Sequence, residues 1–262
     1  MEKRLLIIGF GVVGQAVYEG LVENNIIHIL DIEPNDDIDY SSYGGIIICL
    51  PTPQGPRGEC DDMMVEQYIQ IIRMEVPAVP ILIKSTISIG LVELLEDDQE
   101  VTYNPEFLTE ADSKEQFCNQ KFAIFGGHHC RSWYELYINS GIKIDKVRFT
   151  SMKNAAYAKY TINSFLATKV IFFNELYNMY CDDGFDELTE IVAMDERIGN
   201  SHMMVPGFDR EFGFGGMCLP KDTLAFATSA SRKGSPLKLL EEVILINGQI
   251  REFHTKYLDQ ID

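Results

Sequence analysis

Basic residues are scarce in this 262-residue sequence, and long apolar runs are missing from it. Lysine and arginine together number 22 against 40 acids, which leaves a formal net charge of -18. Because so acidic a surface repels phosphate groups, neither nucleic acid nor an anionic membrane is expected as a partner. No apolar run reaches the length of a membrane-spanning helix. If the substrate is an anion, the few basic side chains must be gathered in one pocket.

Paired cysteines are also missing. The six cysteines include no C-x-x-C pair and do not follow the spacing of a small disulfide-rich domain. This pattern predicts a reducing, cytosolic compartment. A predicted strand follows Met1 almost directly, so no signal peptide is expected. Since three adjacent residues do not converge easily on one tetrahedral ion, we expect a surface loop, and no metal site, at His128, His129 and Cys130.

The chain opens with a predicted strand, a glycine turn and a helix. The apolar residues 4–8 lead into GFGVVG at residues 9–14. The first glycine permits a tight turn, the second lets a pyrophosphate approach the backbone, and the third lets helix and strand pack closely. The next predicted strand, at residues 26–30, ends at Asp31, whose carboxylate would bind both ribose hydroxyls and repel a 2′-phosphate. The sequence therefore predicts NAD, bound by Gly9, Gly11, Val12, Val13, Gly14 and Asp31.

Apolar runs continue to alternate with helical segments as far as residue 150. Predicted strands lie at residues 45–50, 77–84, 100–104 and 122–127. This alternation is typical of a parallel sheet whose ligands lie beyond the carboxyl ends of its strands. The loops after the first two of these strands are therefore expected to line the cofactor crevice, although turn chemistry explains them equally well. Their residues are Pro51, Thr52, Lys84, Ser85 and Thr86.

An acidic stretch follows residue 104. Glu106 and Glu110 are four residues apart. If this stretch is helical, both carboxylates lie on one face, where they would suit the positioning of water or the acceptance of protons. The other interpretation is a solvated acidic helix face.

The second half of the chain is predicted to be helical. Residues 150–181 contain neither proline nor glycine, which favours one helix of about eight turns. A shorter helix is predicted at residues 186–197. An amphipathic helix from Ser235 is expected to pack on the long one, with interruptions near Asn247 and Gly248.

Two domains are expected. Residues 1–150 would form a Rossmann-like, doubly wound parallel sheet that binds NAD, and residues 151–262 an all-helical domain for dimerisation and substrate, so the fold class is α/β. On the long helix, Lys159 and Asn163 project from one face and could hold an oxyanion or order a water. The alternative is a lysine that snorkels from a core helix.

The stretch EFGFGGMCLPKDTLAF at residues 211–226 carries the strongest signal for chemistry. Its glycines lead to Cys218, and Pro220 suits the first turn of a helix that continues through Ala230. A thiol just before a helix N-terminus faces unpaired N–H groups, and Lys221 nearby also favours the thiolate. We interpret Cys218 as a nucleophile rather than a small buried hydrophobe.

These segments resemble the UDP-glucose/GDP-mannose dehydrogenase family. The family's motifs occur in order as GFGVVG, LPTP, KSTISIG, YNPEFLTEAD, KYTINSFLATKVIFFNE, RIG and FGFGGMCLPKD. The resemblance implies an NAD-dependent, four-electron oxidation of the C6 alcohol of a nucleotide-linked hexose to the uronate. It implies that Cys218 forms a thiohemiacetal and then a thioester, that Lys159 and Asn163 stabilise oxyanions, and that Asp222 and the lysine handle protons.

The resemblance also implies roles for residues outside this group. Glu106 would act as base, with Glu110 and Thr86 in support. Arg197, which could otherwise be a solvated loop residue, matches an arginine that reaches a neighbouring subunit's sugar nucleotide, so a homodimer through the long helix 151–181 is expected. Further implied cofactor-binding residues are Thr86, Glu110 and Lys221. Implied substrate-binding residues are Phe107, Leu108, Arg197, Phe212, Gly213 and Gly215.

The sequence departs from the family in two respects. The segment PGFDREFGFGGMC is longer than the corresponding loop of well-known relatives, which predicts a substrate lid of different shape. Family members also normally continue into a second nucleotide-binding-like domain, to which nothing here corresponds, so we expect a short form. Two other functions stay open: a dehydrogenase of a smaller hydroxylated substrate, and a non-catalytic NAD-binding subunit.

Overall fold

The computed structural model describes residues 4–31, 38–108 and 112–258, with side chains as far as residue 252. The chain forms two compact units. Unit 1 comprises Met1–Gly55 and Cys60–Lys159, and unit 2 comprises Pro56–Glu59 and Tyr160–Asp262. Among the described residues, no helix combines the length and the apolar character that a membrane crossing requires.

The described strands belong to unit 1. They are β1 (Arg4–Ile8), β2 (Ile26–Leu30), β3 (Gly45–Ile48), β4 (Ile81–Ile83), β5 (Val101–Tyr103), β6 (Asn119–Gln120), β7 (Ala123–Gly127), β8 (Lys143–Ile144) and β9 (Val147–Thr150). The main sheet has the order β2-β1-β3-β4-β5-β7-β9, and β6 pairs with β8. Pairing is parallel from β2 through β5, as predicted, whereas β7 runs antiparallel to β5. The first five strands therefore present their carboxyl ends along one edge.

The helices of unit 1 cover the sheet. They are α1 (Val12–Leu21), α2 (Met63–Glu75), α3 (Ile89–Leu95), α4 (Ser113–Cys118) and α5 (Cys130–Asn139), with a 3-10 turn at Tyr40–Ser42. Helix α1 buries Ala16, Val17 and Leu21 against the sheet because these residues recur at helical spacing. The core also contains the rings of Phe117, Phe125 and Tyr137. Burying each such side chain contributes about 1.5–3 kcal/mol.

The predicted surface loop at His128, His129 and Cys130 is only partly right. His129 is the N-cap of α5, and Cys130 begins that helix with only 9% of its surface exposed. Its thiol donates to the carbonyl of Gly127 at 3.1 Å, so it is satisfied inside the protein. The helix starts here because the apolar face of α5 packs on the sheet and carries Cys130 with it. Within the described ranges, no group of three or more histidine, cysteine or acidic residues could hold a metal ion.

Long helices make up most of unit 2. They are α6 (Met152–Tyr180), α7 (Phe185–Ala193), α8 (Leu219–Arg232) and α9 (Lys238–Leu258), of which α6 begins in unit 1. The single long helix predicted at residues 150–181 is confirmed as α6. Helix α7 ends at Ala193 rather than at Arg197, because the Asp195 carboxylate accepts a hydrogen bond from the backbone N–H of Arg197 at 3.0 Å. Such local turns compete with helical hydrogen bonding.

Helix α9 is continuous, so the predicted interruption near Asn247 and Gly248 is wrong. The Asn247 side chain is 9% exposed and bonds the backbone of Phe214, and this contact offsets the low helix propensity of asparagine. Packing of α9 on the long helix is confirmed. Val243 lies in one apolar cluster with Ala167 and Ile171 of α6.

Candidate active site

The glycine turn of unit 1 has the geometry of a phosphate cradle. Gly9 has a φ of 92°, and a Cβ at this position would lie 2.7 Å from the carbonyl oxygen of Cys49, so only glycine fits. Gly11 is the N-cap of α1. No described heavy atom lies within 4 Å of the Cβ position at Gly11, which leaves open space in front of the first helical N–H groups. An anion is stabilised at such a helix N-terminus.

Asp31 lies directly after β2 and beside this turn. Its carboxylate is exposed and accepts a hydrogen bond from the backbone N–H of Phe10 at 3.3 Å. An acid at the end of the second strand, next to an open glycine turn, is the arrangement that binds the ribose and pyrophosphate of dinucleotides. The predicted residues Val12 and Val13 begin α1, the first exposed and the second half-buried.

The loops after β3 and β4 meet the glycine turn at the same edge of the sheet. Pro51 is exposed, Thr52 is buried, and Thr86 is half-buried. The strand order reverses between β1 and β3, and ligands of open α/β sheets bind at such a point. Ser85 has a structural task here, since its hydroxyl donates to the carbonyl of Leu50 at 2.7 Å.

A buried lysine lies behind these loops. Lys84 is 2% exposed, and its ammonium donates to the Asn104 side-chain oxygen at 2.8 Å. The Tyr137 hydroxyl donates to the same oxygen at 3.2 Å, and the Asn104 amide donates to the carbonyl of Ile124 at 2.7 Å. Asn104 therefore ties the ends of β4 and β5 to α5 and β7. Sequence reasoning assigned no role to Asn104 or Tyr137, although an asparagine that ends an apolar strand is a usable signal.

Burial controls the protonation of this group. Burial lowers the pKa of Lys84 to about 8, an effect that the nearby Cys49 and Glu106 partly offset. Burial raises the pKa of Cys49 to about 12 and holds the pKa of Tyr137 well above its usual range. Cys49 and Tyr137 are therefore neutral at physiological pH, which leaves Lys84 as the group that titrates near neutrality.

Glu106 is held by Lys159 within unit 1. The Lys159 ammonium donates to the Glu106 carbonyl oxygen at 2.6 Å and to its carboxylate at 3.3 Å, and the two side chains are 3% and 11% exposed. The ammonium also lies 5.1 Å from the ring centre of Phe107. A carboxylate and an ammonium are thus paired at a site largely sheltered from water.

The helix considered for the Glu106 segment does not form at residues 104–108, which are irregular. The Glu106 carboxylate instead accepts a hydrogen bond from the N–H of Leu108 at 2.6 Å, and this local bond competes with a helical turn. Phe107 and Leu108 are half-buried beside it. Glu110 lies outside the described residues.

In unit 2, Cys218 stands at the start of α8, as predicted. It is exposed and is the N-cap residue, with Pro220 in the first turn. Gly216 before it has a φ of 75°, and no described heavy atom lies within 4 Å of its Cβ position. The helix extends past the predicted end at Ala230 to Arg232. A thiol at this position lies close to the positive end of the helix dipole.

A buried polar group lies one turn further along α8. The Asn163 amide of α6 donates to the Asp222 carboxylate at 2.6 Å, and the two residues are 7% and 1% exposed. The Lys221 ammonium lies 2.8 Å from the other oxygen of Asp222. Lys221, predicted to favour the thiolate or to bind cofactor, therefore has its charge beside this carboxylate.

Arg197 is exposed and already paired. Its guanidinium binds the Asp195 carboxylate through two nitrogens, at 2.9 and 2.6 Å. This pairing raises the pKa of Arg197 and lowers the pKa of Asp195. An anion that binds Arg197 must therefore compete with Asp195. Lys169 holds the following turn by donating to the carbonyls of Ile198 and Gly199, each at 3.0 Å.

The remaining predicted substrate residues lie against α9 and α6. The Phe212 ring is 5.7 Å from the ring of Tyr177. A Cβ at Gly213 would meet the side-chain oxygen of Asn247, and one at Gly215 would meet the guanidinium of Arg251. The absence of a Cβ at these two glycines therefore leaves the space that side chains of α9 occupy. Sequence reasoning missed the buried Asn174 and Asn247, whose signal is asparagine within long helices.

Comparison with known proteins finds a family match for the second half of the chain. Residues 153–249 match the model of the UDP-glucose/GDP-mannose dehydrogenase family, central domain. Over 247 residues the chain is 30% identical to the UDP-glucose 6-dehydrogenase TuaD of Bacillus subtilis. The matched stretch covers 88% of this chain and 52% of that protein. Over 238 residues it is 27% identical to a UDP-glucose 6-dehydrogenase of Pseudomonas aeruginosa. This matched stretch covers 82% of this chain and 51% of that protein.

A solved structure shares the fold. A UDP-glucose dehydrogenase from the archaeon Pyrobaculum islandicum superposes with a TM-score of 0.82 at 22% identity, over 100% of this chain and 70% of that one. This likeness confirms the predicted α/β, Rossmann-like class. The chain spans about half the length of the curated relatives it matches. Residues 153–249 thus match the central domain of the UDP-glucose/GDP-mannose dehydrogenase family, and the chain as a whole is similar to UDP-glucose 6-dehydrogenases.

Proposed function

We propose that this protein is an NAD-dependent nucleotide-sugar 6-dehydrogenase that oxidises the C6 alcohol of a UDP-glucose-like substrate to the carboxylate. One observation carries the proposal: the exposed thiol of Cys218 at the start of α8 is followed, one turn later, by the buried Asp222 carboxylate bonded to Asn163. A nucleophile backed by an oriented acid and amide suits covalent catalysis at a carbonyl carbon. The similarity to UDP-glucose 6-dehydrogenases supports the substrate class.

NAD supplies the hydride acceptor for both oxidations. The open N-terminus of α1 after Gly11 would hold its pyrophosphate, and Asp31 would accept hydrogen bonds from its ribose hydroxyls. Pro51, Thr52 and Thr86 would line the same crevice at the carboxyl ends of β3 and β4. Because a carboxylate at Asp31 repels a 2′-phosphate, NADP is the poorer ligand.

The chemistry at Cys218 follows from the reaction. The C6 alcohol loses a hydride and a proton and becomes an aldehyde. The Cys218 thiolate then adds to C6, and the resulting oxyanion takes up a proton to give a thiohemiacetal. Loss of a second hydride and of the hydroxyl proton leaves a thioester. Water attacks the thioester, the carbon–sulfur bond breaks, and the carboxylate, the thiolate and two protons are released.

The other polar residues would stabilise the oxyanions and transfer protons in these steps. Asn163 has a second N–H besides the one bonded to Asp222, and with the Lys159 ammonium it would stabilise the oxyanions. Asp222 would exchange protons through an ordered water. Glu106, held by Lys159, would remove a proton from the water that attacks the thioester, with Thr86 and Glu110 in support.

The proposal includes a homodimer through α6. Phe165, Phe172 and Met179 are seven residues apart and expose 68%, 59% and 76% of their surfaces. Residues at heptad spacing lie on one face of a helix, so α6 presents an apolar stripe suited to a second copy of the chain. In such a dimer Arg197 would reach the sugar nucleotide of the neighbouring subunit.

An NADH-production screen tests the function. Nucleotide sugars and small free hydroxy acids are offered separately with NAD, and the products are identified by mass spectrometry. We expect two NADH for each uronate formed from one nucleotide sugar, and we expect uronate formation to disappear in Cys218→Ser. A protein that binds NAD but turns over none of the nucleotide sugars contradicts the proposal. Turnover of a small hydroxy acid alone would support the alternative dehydrogenase.

A further inference from the structure

The segment that leads to Cys218 is held by two buried asparagines from different helices of unit 2. Asn174 lies on α6 and is 2% exposed, and Asn247 lies on α9 and is 9% exposed. Both bond the backbone of the chain shortly before the thiol. Buried polar side chains are normally satisfied, and here the partners are peptide groups of a loop rather than of a helix or sheet.

Asn247 makes a reciprocal pair with Phe214. Its side-chain oxygen accepts from the Phe214 N–H at 2.7 Å, and its amide donates to the Phe214 carbonyl at 3.0 Å. The Phe214 ring is 4% exposed and packs in the cluster that contains Ala167, Ile171 and Val243. Both the peptide group and the side chain of Phe214 are therefore fixed.

Asn174 holds the preceding residue. Its side-chain oxygen accepts from the Gly213 N–H at 2.8 Å, while its amide donates to the carbonyl of Val170 at 2.8 Å. Gly213 has a φ of 74°, and a Cβ there would meet the side-chain oxygen of Asn247. The turn at Gly213 therefore requires glycine, and the two asparagines hydrogen-bond the peptide N–H groups of Gly213 and Phe214.

The chain becomes exposed to solvent immediately after this anchor. Gly215 is half-buried, and Gly216, Met217 and Cys218 are exposed. Only these few residues separate the fixed peptide of Phe214 from the thiol. We infer that Asn174 and Asn247 are positioning residues for Cys218, which keep its thiol at the N-terminus of α8. This inference rests on the assignment of Cys218 as nucleophile in the proposed function.

The physical reason is the short range of the helix-terminal field. That field acts mainly within the first turn, so a thiol that wanders from the helix start loses the stabilisation of its thiolate. Without the hydrogen bonds of Asn174 and Asn247, the peptide groups of Gly213 and Phe214 would lose these attachments, and the segment before the thiol would be freer to move. The thiolate fraction, and with it the reactivity, should then fall.

Alkylation of Cys218 by iodoacetamide tests the inference without any substrate. A Cys181→Ser background removes the other exposed thiol, and peptide mass spectrometry follows Cys218. The variants are Asn247→Asp, which keeps the acceptor for Phe214 but places a carboxylate against its carbonyl, and Asn174→Ala, which removes the acceptor for Gly213. The control is Val243→Ala, which opens the same cluster but removes no hydrogen bond, because a valine side chain makes none.

We expect both asparagine variants to alkylate about two- to five-fold more slowly at pH 7, with the half-maximal rate shifted to higher pH. Val243→Ala should lose thermal stability but keep the parent profile. The inference is overturned if the asparagine variants have the parent's pH profile, or if both lose the native far-UV circular dichroism spectrum, which would make the role structural. A slowed alkylation in a protein that oxidises no nucleotide sugar would leave the positioning role standing while the proposed function fails.

Discussion

The side-chain amide of Asn163 lies 2.6 Å from the carboxylate of Asp222, and both groups are buried in unit 2. The pair joins α6 to the first turn of α8, whose N-cap is Cys218. An amide donor on a carboxylate fixes the direction in which the acid presents its second oxygen, and Lys221 lies beside that oxygen at 2.8 Å. In the proposed mechanism this pair would orient Asp222 as a proton acceptor.

Replacement of Asp222 should affect turnover more than folding. In Asp222→Asn the shape is kept, but the proton acceptor and the charge beside Lys221 are lost. We expect kcat for uronate formation to fall by about a hundredfold or more, with KM little changed, because general acid–base groups contribute about 10²–10⁴. Steady-state kinetics with the substrate found in the screen measure this. A near-normal kcat would remove Asp222 from the proposed mechanism.

Lys84 should make the stability of the protein depend on pH. Its pKa falls from 10.5 to about 8 on folding because it is buried. The unfolded chain therefore binds the proton up to higher pH than the folded one, so the free energy of unfolding rises between pH 8 and 10.5. Below pH 8 the full cost of burying the charge is present, about 3 kcal/mol.

Lys84→Met removes that cost. We expect a higher free energy of unfolding than in the parent at pH 7. The loss of the hydrogen bond to Asn104 makes this gain smaller by about 1 kcal/mol. The difference should shrink as pH rises to 10.5. Urea denaturation at several pH values measures it, and Lys121→Met, at a site 90% exposed, serves as control with no such trend expected. A gain that does not change with pH would show that Lys84 is not titrating in the folded protein.

Two glycines of the same turn should respond to substitution in opposite ways. Gly9→Ala forces a Cβ against the Cys49 carbonyl at a positive φ, so we expect a loss of about 1–3 kcal/mol in stability. In Gly11→Val the new side chain enters open space, and the φ of -71° suits any residue, so the melting temperature should be unchanged. Its branched side chain would instead block the pyrophosphate and weaken NAD binding by about tenfold or more.

Thermal unfolding and isothermal titration calorimetry with NAD distinguish the two effects. Unchanged NAD affinity in a well-folded Gly11→Val protein would place the cofactor elsewhere.

The apolar stripe on α6 predicts the oligomeric state. Phe172→Asp places a charge in the middle of the stripe, at a residue 59% exposed in the described chain, so the fold should survive. We expect light scattering after size exclusion to show a dimer for the parent and a monomer for the variant. The control is Met74→Asp on α2 of unit 1, a residue that is 85% exposed and does not belong to the stripe, which should leave the dimer intact. A parent protein that is monomeric at all concentrations would contradict the dimer.

Much of the fold can be predicted from local patterns. The glycine turn, Asp31 at the end of β2, and the uninterrupted α6 each depend on neighbouring residues along the chain, so the sequence contains their signal. Cys218 before Pro220 is equally local, because helix capping is decided within one turn.

The features that the sequence did not reveal depend on distant partners. Asn247 remains helical because it bonds Phe214, which lies 33 residues earlier in the chain. Cys130 is buried because α5 packs on the sheet, and the bond between Lys84 and Asn104 joins two strands. Tertiary contacts of this kind override local propensity, and no window of neighbouring residues contains them.

The two asparagines that anchor the loop before Cys218 bind peptide groups and not side chains, and this has a consequence for sequence variation. In a saturation library screened for thiol reactivity, position 214 should accept several apolar residues, because any residue other than proline supplies the same N–H and carbonyl to Asn247. Position 213 should accept only glycine, since any added Cβ meets the Asn247 oxygen. Two neighbouring positions would thus differ sharply in mutational tolerance, although they share one anchor.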